Sequence, residues 1–251
     1  MDRQKIISSL LIAAEVGVLC IVLILGVFSG VENGEKTPTV DKESEQLSSG
    51  TEDTQVNSTE EDWFGASEKR ETFSDAVEQK LATMTTEQRV AQLFLVSPET
   101  LTGVSPVTIS GNGTKAALQK YPVGGFVYSQ INFTGAEQAN RLVSGAQTFS
   151  SDIIGVPLFI LVQEDAAEYE RHATIRLIEQ NGKVMANGIW VCTYTNSLEI
   201  IAAIEDGANM IYAPENFVEL YEAVLGAVND GTITQVRLEN AVGAVLTEKI
   251  Q

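Results

Sequence analysis

The residues best suited to chemistry stand together in one stretch. In VPLFILVQEDAAEYERHA, Val156 to Ala173, an apolar run stops at Gln163, Glu164 and Asp165, and the only histidine of the chain, His172, follows beside Arg171. Two neighbouring carboxylic acids and an imidazole are groups that can give and take protons. Glu164, Asp165 and His172 are therefore the candidate catalytic residues. The simpler reading makes Glu164 and Asp165 a cap or an ion pair at a strand end and His172 a solvated helix residue. A Ser-His-Asp triad would have only His172 as its base.

Composition narrows the chemistry further. The two cysteines, Cys20 and Cys192, lie in an apolar N-terminal run and in a predicted strand. That placement argues against a disulfide framework and a cysteine-based metal site. A single histidine leaves no His-rich metal site, so no metal ligands and no cofactor are expected. The formal net charge is −18, from 34 acids against 16 bases. Such a surface repels phosphates, which argues against nucleic acid and against electrostatic adhesion to anionic lipid.

The elements that must position these residues begin late in the chain. Leu10 to Phe28, LLIAAEVGVLCIVLILGVF, is apolar but for Glu15. At about 1.5 Å per residue it reaches roughly 28 Å, close to the ~30 Å hydrocarbon core of a bilayer. Arg3 and Lys5 precede it and acids follow. The charge asymmetry predicts an uncleaved single-pass anchor over residues 1–31 in the cell membrane, with the lipid bilayer as partner, the N-terminus cytoplasmic and the rest extracytoplasmic. No A-x-A site follows the run, as a cleaved signal peptide would require. Residues 32–72 are polar and acidic, with too little apolar surface to offset ordering entropy, and are expected to be a disordered tether. Trp63 and Phe64 interrupt it and are expected to cover an end of the folded domain.

From Phe73 onward folding signals alternate. Thr85-Thr86-Glu87-Gln88 reads as a capping box opening a helix that runs into AQLFLV. Val123 to Tyr128 reads as a strand. Thr134-Gly135-Ala136-Glu137 reads as a second capping box, before a helix with Ala139, Leu142, Val143 and Ala146 at helical spacing. Val156 to Val162 and Gly188 to Thr193 are apolar runs of the kind buried on both faces of a sheet. Ser197 opens a helix that Gly207 ends, Asn209 to Ala213 is a strand, and Asn216 caps a helix that Gly231 ends. Thr234 opens the last helix, with Leu238, Val242, Val245 and Leu246 on one face. Strands alternating with helices predict an α/β domain of parallel β/α units over residues 73–251.

Four pieces of this domain resemble one family. KLATMTTEQRVAQLFLV resembles the opening of the N-terminal domain of family 3 glycoside hydrolases, which include bacterial β-N-acetylhexosaminidases and β-glucosidases. KYPVGGFVYSQINFTGAEQANRLVSGAQ resembles its second unit and VPLFILVQEDAA its third strand. EDGANMIYAPENFVELYEAVLGAVNDGTITQVRLENAVGAVLTEKI resembles its closing units. The resemblance implies a TIM-barrel-like β/α domain and carbohydrate as partner, including peptidoglycan-derived amino sugars. It makes Gln163 and Arg171 the substrate-binding residues, because they stand where the family has a sugar-binding Asp and Arg.

The departures from the family pattern bear on activity. Where the family has Asp-x-Glu-Gly-Gly after the third strand, this chain has Gln163-Glu164-Asp165-Ala166-Ala167. The units carrying the family's Lys-His-rich motif, catalytic-histidine loop and nucleophilic Asp have no counterpart, and no Asp occurs between Asp165 and Asp206. The strand Gly188 to Thr193 is followed by Tyr194, Thr195 and Asn196, none of them a carboxylate, and the Asp of the family's A-G-A-D is Asn209. The expectation is a membrane-anchored, non-catalytic carbohydrate-binding member on a shortened barrel. Its open sheet edges would be covered by helices or paired in a homodimer. The alternative is an active β-N-acetylhexosaminidase or β-glucosidase.

Overall fold

The computed structural model describes residues 69–250. The expected anchor over Leu10–Phe28, most of the tether, Cys20 and the Trp63–Phe64 pair lie outside the described residues. Among those described, no helix is long and apolar enough to cross a membrane.

The chain enters along its own C-terminal helix. Arg70 pairs with Glu78 at 2.7 Å and with Glu239 at 2.9 Å, and the Glu71 amide donates to Asn240. Helix α1 (Asp75–Thr83) is capped by Ser74, and α2 (Thr86–Gln92) by the complete Thr85/Gln88 box read from the sequence. The helix stops at Gln92, and FLV is strand β1 (Phe94–Val96), not a continuation of the helix. Then follow α3 (Pro98–Thr102), α4 (Asn112–Lys120), β2 (Gly125–Tyr128), α5 (Ala136–Ile154) and β3 (Phe159–Val162). The expected capping box at Thr134 does not form. Gly135 holds the N-cap position with φ of 156°, and the Thr134 amide instead donates to Gln138 Oε1 at 3.0 Å.

After β3 the chain makes an irregular 3-10 segment, Glu164–His172, and then three short strands, β4 (Ile178–Gln180), β5 (Lys183–Ala186) and β6 (Ile189–Cys192). The domain closes with α6 (Ser197–Glu205), β7 (Met210–Tyr212), α7 (Phe217–Asn229) and α8 (Gln235–Lys249). Asn196 and Thr234 cap α6 and α8 through their side chains, whereas Asn216 stands at the start of α7 without a side-chain cap.

The seven strands form one curled sheet in the order β3-β2-β1-β7-β6-β5-β4. From β3 to β6 all neighbours are parallel, but β4-β5-β6 is an antiparallel meander. This corrects the expectation of parallel units throughout. The cause is local: Asn181-Gly182 and Asn187-Gly188 have φ of 52° and 74°, and of 49° and 83°, the paired left-handed geometry of two-residue hairpin turns.

Side-chain alternation divides the sheet into two faces. Leu95, Val127, Phe159, Leu161, Val191 and Met210 gather in an inner cluster with Ile175 and Val245. Phe94, Phe126, Tyr128, Ile160, Cys192 and Ile211 face the helical layer. Burial of each large side chain contributes about 1.5–3 kcal/mol, so the outer layer supplies most of the cohesion. One edge of the sheet is covered by the chain itself. The Thr174 and Ile175 amides donate to the Ile160 carbonyl, and the Ile160 amide donates to Thr174 Oγ1 at 2.8 Å. The outer edge of β3 is thus sealed at Ile160 by a segment that is neither helix nor strand.

Candidate functional site

In β/α sheets the reactive mouth lies at the carboxyl ends of the strands, where loops converge. Gln163 occupies that place after β3. Its amide continues the β2–β3 ladder by donating to Tyr128 O at 2.8 Å, and its side-chain Nε2 donates to the Tyr212 hydroxyl, also at 2.8 Å. Tyr212 ends β7, and two strands, β2 and β1, separate it from β3. The hydrogen bond therefore spans the concave face, as the curl of the sheet allows. Both residues are half-buried. Nearby, Ser97 at the end of β1 donates to Pro214 O at 2.8 Å and fastens the loop after β7 to this rim.

The neighbouring candidates face outward. Glu164 and Asp165 are exposed at the start of the 3-10 segment, and neither side chain makes a hydrogen bond or ion pair among the described residues. The segment is anchored by buried Ala166 and by Tyr169, whose ring stacks on Phe133 at 4.3 Å and 22°. Burial pushes the Tyr169 phenol above its ordinary value. His172 ends the segment. Its Nε2 accepts from Arg171 Nε at 3.2 Å, and burial, with the guanidinium charge second, pushes the imidazole below its ordinary value. In this geometry His172 Nε2 is unprotonated and engaged by its neighbour. Gln163 is thus tied to Tyr212 and Arg171 to His172, and no hydrogen bond joins the two pairs.

The remaining sites of expected loss are also clear. After β6, Asn196 Oδ1 accepts from the Glu199 amide as the cap of α6, and Tyr194 is exposed. Asn209 precedes β7, and its amide donates to Trp190 O. Among the described residues no group of three or more His, Cys, Asp or Glu side chains could hold a metal ion. Tyr212 was not among the residues singled out from the sequence. Its signal was the alternation of Met210 and Tyr212 in MIY, which puts the phenol on the inner face at the strand end.

No family model and no curated protein matches the sequence. Among solved structures, the chain is similar to a glycoside hydrolase family 3 β-N-acetylglucosaminidase from Paenibacillus sp. str. FPU-7, at 12% identity and a TM-score of 0.47. The likeness covers 66% of this chain and 62% of that one, so the chain spans under two thirds of that structure's length.

Proposed function

We propose that this protein is a family 3 glycoside hydrolase-like carbohydrate-binding protein without glycosidase turnover. The carrying observation is the Gln163–Tyr212 pair across the mouth of the curled sheet. It presents an amide oxygen and a phenol oxygen to a ligand, both neutral. Sugar hydroxyls can hydrogen-bond to such a pair, but a charge-assisted bond to a carboxylate is roughly twice as strong. Arg171 supplies the one cation expected to reach a sugar.

The reading of no turnover rests on missing groups. Retaining hydrolysis between two carboxyls needs them about 5–5.5 Å apart. Glu164 and Asp165 are adjacent in sequence and exposed, and Thr193 to Asn196 contain no nucleophilic acid. General acid–base catalysis typically contributes ~10²–10⁴-fold, and the family's histidine loop has no counterpart here. On the same reading the apolar run Leu10–Phe28 anchors the domain outside the cell membrane, near amino sugars such as those of peptidoglycan. The free edge of β4 is the surface through which two copies would pair.

Hydrolysis of aryl N-acetylglucosaminides and aryl glucosides, with N-acetylglucosamine binding followed by ligand-detected NMR, tests the proposal. We expect weak binding and no turnover above background. Gln163→Asp should tighten binding without creating turnover, and Arg171→Ala should abolish it. Turnover by the wild type that Glu164→Gln or Asp165→Asn destroys would overturn the reading. A cysteine introduced at Ser49 should react with an impermeant label in intact cells; labelling only after lysis would refute the topology.

A further inference from the structure

A second site lies on the helix-facing side of the sheet, between the antiparallel meander and α6. One wall is a single helix face: Glu199, Ala202, Ala203 and Asp206 recur at the three- and four-residue spacing that aligns side chains along a helix. Two carboxylates thus flank a floor of alanines. The facing wall is aromatic, formed by Trp190 of β6 and by Tyr194, which is 48% exposed. The groove between them encloses about 520 Å³.

Its contents are unusual in one respect. The Lys183 ammonium sits 3.4 Å from the centroid of the Trp190 ring, while the ring packs near Gly207. Lys183 is exposed and makes no ion pair with Glu199 or Asp206, and neither acid pairs with any other cation among the described residues. An aromatic face attracts a cation through its quadrupole, and nearby carboxylates add to that attraction. The groove therefore already selects for a positive charge and holds one on an exposed side chain of its own.

We infer that this groove binds the ammonium or guanidinium group of a lysine or arginine side chain on a basic peptide partner, with Lys183 as the resident stand-in. The incoming cation displaces Lys183 from Trp190 and is flanked by Glu199 and Asp206. Small alanines at positions 202 and 203 leave room for the aliphatic stem. The net charge of −18 draws basic peptides toward the molecule. A neutral sugar could also stack on an indole, but the acids and the bound ammonium favour a cation.

The test uses the full chain in detergent with Trp63→Phe, so that Trp190 is the only indole. N-acetyl-arginine amide and N-acetyl-lysine amide should change its fluorescence saturably, while the uncharged N-acetyl-citrulline amide should not. Lys183→Met should tighten binding by about threefold, because the competitor is gone. Glu199→Gln and Asp206→Asn should each weaken it by about threefold. An equal response to the citrulline compound, a response to N-acetylglucosamine alone, or unchanged or weaker binding in Lys183→Met would each overturn the inference. Since Gln163 and Arg171 are untouched by these variants, loss of sugar binding at the mouth would not mimic any of these results.

Discussion

At the scale of single residues, Lys249 makes a sharp prediction. Its ammonium is enclosed at the amino end of the sheet, donating to Gln92 Oε1 at 2.9 Å and Gly124 O at 2.7 Å, with the Phe159 ring 5.0 Å away. Among the described residues no carboxylate pairs with it, and burial pulls its pKa from 10.5 down to about 7. Between those values the unfolded chain holds the proton more tightly than the folded one. Stability should therefore rise as pH is raised through that window and be lowest below about pH 7, with a slope of at most about 1.4 kcal/mol per pH unit. Urea unfolding at pH 7.0 and 9.0 should show the gain, and Lys249→Met should flatten it. A slope that survives in Lys249→Met would assign the effect elsewhere. The candidate chemistry was legible at this scale only in part. Gln163 stood out because an apolar run ended there, but its partner Tyr212 is 49 residues away and becomes visible only when the sheet curls.

Elements obey local rules where those rules are strong. The Thr85/Gln88 box closes with both of its hydrogen bonds, and Thr85→Ala should cost about 1 kcal/mol in thermal unfolding. Thr134 failed as a cap because Gly135, with its freedom at positive φ, took the turn. The meander was written in the sequence as two Asn-Gly pairs, the strongest short-range hairpin signal, but family-like alternation of strands and helices masked it. Gly124 tests the close crossing of α2 and β2. A Cβ there would lie 2.1 Å from Gln92 O and 2.9 Å from its carbonyl carbon, both rigid backbone atoms. Gly124→Ala should destabilise by more than about 4 kcal/mol, or prevent folding, as read by circular dichroism. Gly182→Ala, in a free turn with φ of 74°, should cost only about 1 kcal/mol.

For the whole molecule, the sequence carried the outline of a shortened β/α sheet, because apolar runs and capping signals repeat in order. It did not carry the closure. Thr174 and Ile175 seal β3 through backbone hydrogen bonds that have no side-chain pattern, apart from Thr174 Oγ1. The inner cluster was equally hidden, since it draws alternate residues from six strands and one helix. With the β3 edge covered at Ile160, β4 is the edge left without a strand partner among the described residues, and the exposed Ile178 marks it. Ile178→Lys should therefore leave the fold intact, and it should abolish any self-association that sedimentation detects in the wild type.

The position of β1 has a consequence for synthesis. Its neighbours are β2, close in sequence, and β7, through Phe94↔Ile211 and Leu95↔Tyr212, more than a hundred residues later. A nascent chain must hold one flank of β1 open while the meander and α6 are still being made. During that interval a fully apolar strand presents unpaired amides and carbonyls to whatever is near. Chains released before Met210 should accumulate as insoluble aggregates or bound to chaperones. Chains released after Lys249 should stay dispersed in mild detergent, with the step in detergent solubility falling once β7 is complete. A solubility profile that rises smoothly with length would mean that β1 is protected some other way.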